Sequence, residues 1–98
     1  SDARNEGCCQ AAKNQVLEVF NSTVQRYREA GRDEDAVKAE KNFDIMDGLG
    51  CDEFKIQLHR LAKLDRYPKL YMISKPMKFN PEVVKLREIY EEWLRCEK

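Results

Sequence analysis

Apolar residues recur at three- and four-residue steps along most of the chain, which predicts helices throughout. Over residues 6–30, Cys9, Ala12, Val16, Phe20, Val24 and Tyr27 form one stripe, widened by Leu17 and Val19, with Gly31 as its stop. Asn14, Gln15, Asn21, Ser22, Arg26 and Glu29 fall off the stripe, as a solvated face requires. Ala36, Ala39, Phe43, Met46 and Leu49 predict a second helix, capped by the carboxylates of Arg32-Asp33-Glu34-Asp35 and closed by Gly48 and Gly50. A third starts at Asp52 as cap and carries Phe54, Leu58, Leu61 and Ala62. Pro68 opens a short fourth segment with Leu70, Tyr71 and Ile73, which Pro76 ends. The last run has the strongest signal. Asn80 caps it, Pro81 sits where no N–H is needed, Glu82 answers the positive helix end, and Val83, Val84, Leu86, Ile89, Tyr90, Trp93 and Leu94 follow at helical spacing.

These elements predict an all-α fold, a compact bundle of four to five helices forming a single domain over residues 1–98. An apolar content of 42% suits one core and one surface function. Met77-Lys78-Phe79 places two large apolar side chains in a connector, where they either plug the bundle or form a patch for a partner.

Charge narrows the function. Eighteen basic residues cancel eighteen acidic ones, so no global field draws the chain to phosphate backbones, and nucleic acid is disfavoured as a partner. No apolar run approaches the roughly 20 residues that span a bilayer, and the first residues are charged, so neither a membrane span nor a signal segment is expected. Locally the charge separates. Lys55, Arg60, Lys63, Arg66, Lys69, Lys75 and Lys78 face only Asp65 between residues 55 and 78, whereas residues 33–53 are mostly acidic.

No catalytic site, cofactor or metal is expected. His59 sits among Gln57, Arg60 and Lys63 on the side away from Phe54, Leu58 and Leu61 and reads as solvent-facing. Gly48-Leu49-Gly50 lacks the strand and the longer pattern of a phosphate loop, and the adjacent Glu91 and Glu92 diverge on a helix. Cys8 and Cys9 point about 100° apart on a helix, so they cannot share one metal. The even count of Cys8, Cys9, Cys51 and Cys96 permits two disulfides in an oxidising compartment, but the expectation taken from the sequence is free thiols acting as small buried hydrophobes.

The second half carries a further pattern: Phe43-Asp44-Ile45-Met46-Asp47-Gly48-Leu49, a capped third helix, a short fourth, then Pro81-Glu82-Val83-Val84-Lys85-Leu86 leading to Trp93. It resembles the TFIIS N-terminal domain family, the helical module of transcription elongation factors and of the integrase-binding domain of lens-epithelium-derived growth factor. The chain departs from that pattern at Tyr67-Pro68, at Lys75-Pro76 and at Cys51-Asp52. The resemblance implies a nuclear, non-enzymatic scaffold for protein–protein interaction. It would bind short disordered acidic and aromatic motifs of transcription or chromatin proteins between the loops at residues 31–35 and 75–80. Met77 and Phe79 would then floor the site, Asp33 or Asp35 would accept peptide N–H groups, and Lys75 and Lys78 would attract acidic residues. The alternative reading is a secreted helical ligand-binding or effector protein stabilised by disulfides.

Overall fold

A computed structural model describes residues 2–62 and 81–98, with side chains described for 3–62 and 84–98. Four helices account for nearly all of these residues: α1 (Asp2–Glu29), α2 (Asp33–Asp47), α3 (Cys51–Ala62) and α4 (Pro81–Glu97). No strand occurs among them, and the all-α bundle expected from the apolar spacing is the observed architecture. The fourth segment expected near Pro68, the cap Asn80 and the connector Met77-Lys78-Phe79 lie outside the described residues.

Helix α1 is the spine, and α2 and α4 both pack along it. Its buried stripe is Cys9, Ala12, Val16, Val19 and Val24, with Phe20 and Tyr27 half-buried, which follows the sequence period. Phe54 and Leu58 of α3 and Leu86, Ile89 and Trp93 of α4 close over it to form the main core. A second, smaller cluster of Val24, Ala36 and Ala39, with Tyr27 against it, holds α2 to the far half of α1. Phe54 is 0% exposed and packs tilted against Trp93 at 6.1 Å between ring centroids. Burying one such side chain contributes about 1.5–3 kcal/mol. Leu94 follows Trp93 but points about 100° further round the helix, so it leaves the stripe and is exposed.

The turn from α1 to α2 shows why Gly31 stops the first helix. Its φ of +74° is costly for any side-chain-bearing residue. That geometry lets the Gly31 N–H donate to Arg28 C=O at 3.0 Å and the Arg32 N–H to Tyr27 C=O at 2.8 Å, the paired bonds of a Schellman motif. The Arg32 guanidinium then lies 5.0 Å from the centre of the Tyr27 ring.

Several expectations require correction. Helix α1 begins at Asp2 rather than near Glu6, because its first turns are tied to the end of α4: Cys8 bonds Cys96, and Arg4 Nε donates to the Cys96 carbonyl at 3.1 Å. The acidic cluster does not cap α2 through its side chains. Arg32 is the N-cap, without a side-chain cap bond, and Asp33, Glu34 and Asp35 occupy the first turn, where their charge complements the positive helix end. Helix α3 starts at Cys51, with Phe54 N–H donating to Gly50 C=O at 2.8 Å, so Asp52 lies inside the helix. The largest correction concerns the thiols. All four cysteines are paired, Cys8 with Cys96 and Cys9 with Cys51, at Cα separations of 5.8 and 6.0 Å.

Candidate functional site

Among the described residues, three surface features are shaped well enough to hold something. The first is a groove of about 280 Å³ between α1 and α2. Val19, Phe20 and Ala39 give it an apolar floor, Leu86 reaches in from α4, and Asp35, Lys38 and Asn42 stand along its rim. Ala36 and Ala39 of α2 pack with Val24 and Tyr27 of α1 beside the groove, and small Ala39 shares its lining with the larger Phe20 and Tyr27. Thr23, buried in its wall, is satisfied by donating its hydroxyl to the Val19 carbonyl at 2.8 Å.

The second is a cleft of about 340 Å³ at the cystine end, where Asn5, Glu6 and Cys9 of α1 face Cys51, Asp52 and Lys55 of α3 and Trp93 and Glu97 of α4. Lys55 and Glu97 form an ion pair here, and the Lys55 ammonium also lies 5.3 Å from the centre of the Trp93 ring. Trp93 is 3% exposed, and its indole N–H has no hydrogen-bond acceptor among the described residues. Leaving such a donor unpaired costs about 1–3 kcal/mol.

The third is a shallow depression of about 560 Å³ on the α3–α4 face, lined by Asp52, Lys55, Ile56, His59, Arg60 and Tyr90. His59 was expected to face solvent. It is half-buried instead, with its ring 5.2 Å from that of Tyr90, because α4 crosses α3 on the side that the α3 stripe alone leaves uncovered.

Of the residues singled out from the sequence, Asp33 and Asp35 are described. Asp33 stands exposed in the first turn of α2. Asp35 is half-buried at the rim of the α1–α2 groove, where Arg32 donates to its Oδ2 from Nε at 2.8 Å and from the terminal guanidinium nitrogen at 2.7 Å. That engagement leaves Asp35 less open to a peptide N–H than an unpaired carboxylate would be. Lys75, Met77, Lys78 and Phe79 lie outside the described residues. Sequence reasoning missed the groove itself, whose only signal was the pair of alanines in a stripe otherwise made of large residues.

The Arg95 pKa is raised by its hydrogen bond to Glu92 and by the charge of that carboxylate, away from all three features. Among the described residues no three His, Cys, Asp or Glu side chains converge to hold a metal ion, and no helix is long and apolar enough to cross a membrane. No family model, curated protein or solved structure matches the chain.

Proposed function

We propose that this chain is a non-enzymatic binding protein of an oxidising compartment, a disulfide-stapled helical module that docks a short, disordered segment of a partner protein along the α1–α2 groove. The two disulfides carry the compartment. Paired cysteines persist where the thiol pool is oxidising and are rare in the nucleus and cytosol, so they favour the secreted alternative over the nuclear setting implied by the TFIIS resemblance. The groove carries the binding mode. Its apolar floor accepts an aromatic or aliphatic anchor, and Lys38 on the rim offers an acidic neighbour a partner. The TFIIS resemblance adds Lys75, Met77, Lys78 and Phe79 as candidate contacts for the same peptide. Affinity in the micromolar range fits this mode, since ordering a flexible segment consumes part of the contact energy.

Amide-shift mapping of the oxidised protein with acidic-aromatic peptides tests the proposal. Shifts concentrated at residues 19–42 and 75–80 are expected, and shifts scattered over the bundle, or none at all, refute the groove. Intact mass before and after reduction tests the compartment: two disulfides correspond to four fewer hydrogens in the native protein, and an unchanged mass would return the reading to a reducing compartment.

A further inference from the structure

The two disulfides differ in what surrounds them. Cys8 is 3% exposed, Cys96 is half-buried, and Arg4 reaches across that bond to the Cys96 carbonyl. Cys9–Cys51 is built differently: Cys9 is 1% exposed, but Cys51 is an exposed residue, and both line the cleft of about 340 Å³ at the cystine end. We propose that Cys9–Cys51 is an exchangeable bond and that the cleft is a modification site, where a cationic low-molecular-weight aminothiol forms a mixed disulfide with Cys51.

Geometry selects the sulfur that is attacked. An incoming thiolate approaches along the cleft and meets Cys51, the exposed partner, since Cys9 also lines the cleft but is only 1% exposed. A bond forms between the thiol sulfur and Cys51 Sγ while the Cys51–Cys9 bond breaks. Its electron pair departs on Cys9 Sγ, which takes a proton from water. One disulfide and one thiol are consumed and one of each is produced, so no external oxidant or reductant is needed.

Charge selects the thiol. Among the described residues, Glu6, Asp52 and Glu97 line the cleft against one ammonium, Lys55, an excess of two negative charges. The N-terminus of α3 opposes this with only about half a positive charge, so the carboxylates win. A thiol bearing an ammonium is therefore drawn in and one bearing an anion is repelled.

Cysteamine and 2-mercaptoethanesulfonate, which carry opposite charges at similar size, provide the test. The oxidised protein is exposed to each, free thiols are trapped with a maleimide, and the products are mapped by mass spectrometry. The first product with cysteamine should carry the adduct on Cys51 and maleimide on Cys9, with Cys8–Cys96 intact. Rates per thiolate should favour cysteamine by about fivefold at low ionic strength, and 1 M salt should largely abolish that preference. A Glu6→Gln, Asp52→Asn variant, altered only at exposed residues, should lose most of the preference while keeping the order in which the bonds open. A first adduct on Cys8 or Cys96, simultaneous opening of both bonds, or equal rates for the two thiols at low salt would overturn the proposal.

Discussion

Removing the Cys8–Cys96 bond should be among the most damaging changes possible in this chain. The bond spans 88 positions, and constraining a loop of that length in the unfolded chain contributes about 4.6 kcal/mol on a chain-entropy basis. The 42-position Cys9–Cys51 loop contributes about 3.9 kcal/mol by the same relation. A domain of this size has a total stability on the order of 5–15 kcal/mol, so either loss is a large fraction of the whole. Paired Cys→Ala variants, Cys8 with Cys96 and Cys9 with Cys51, compared with the oxidised protein by urea unfolding under circular dichroism, measure both. Each variant gives up one buried cysteine, Cys8 or Cys9, but the first also gives up half-buried Cys96 and the second exposed Cys51, so the packing losses differ and need a separate control. Wild-type protein unfolded in reductant provides that control and keeps every side chain. Both variants should also show a steeper denaturant dependence, because an uncross-linked chain exposes more surface on unfolding. A loss below about 1 kcal/mol for the Cys8–Cys96 pair would mean that this bond does not restrain the unfolded chain as its length requires.

Three further changes probe separate parts of the fold. Gly31→Ala meets no atom within 4 Å but must hold φ at +74°, so it should cost about 1–2 kcal/mol in a thermal melt, and a neutral result would contradict the left-handed turn. Trp93→Ala should cost about 3–5 kcal/mol, whereas Trp93→Phe, which deletes the unpaired N–H while keeping an aromatic ring, should stay within about 1.5 kcal/mol in the same urea assay. Equal losses would show that the indole N–H is satisfied in solution. Glu97→Gln should cost under about 1 kcal/mol, less at high salt, since its ion pair with Lys55 remains partly open to water, and a salt-independent loss would point to packing instead.

The helices were legible because their signals are local. The stripe from Cys9 to Tyr27, the glycine stop at residue 31 and the proline start at 81 each act within a turn or two, and each appears where expected. Helix starts were less legible. Asp33 and Asp52 resemble caps, but both lie inside helices whose first turns are fixed by Arg32 and Gly50 backbone groups. The pairing of cysteines 42 and 88 positions apart depends on how the helices pack, which no local pattern reports. One clue was nevertheless present. The divergence of about 100° that prevents Cys8 and Cys9 from sharing a metal also sends them to different neighbours, Cys8 to α4 and Cys9 to α3. His59 was misplaced for a related reason: the α3 stripe marks one buried side, and contact with Tyr90 arises only once α4 lies across the other.

The positions of the two cross-links give the bundle unequal mechanical parts. Helices α1 and α2 are joined at one end by a tight turn, and at the other Cys9 is bonded to Cys51, the first residue of α3, so α1, α2 and the start of α3 make a closed frame. Helix α4 is cross-linked to that frame near its last turn, through Cys96, and is held further along by Leu86, Ile89 and Trp93 in the core and by Arg87, whose Nε donates to the Ala62 carbonyl at 3.1 Å. Leu86 sits ten residues from Cys96, about 15 Å along the helix at 1.5 Å per residue. Because this side chain is both part of the main core and one wall of the α1–α2 groove, the shape of the groove is tied to the packing of α4.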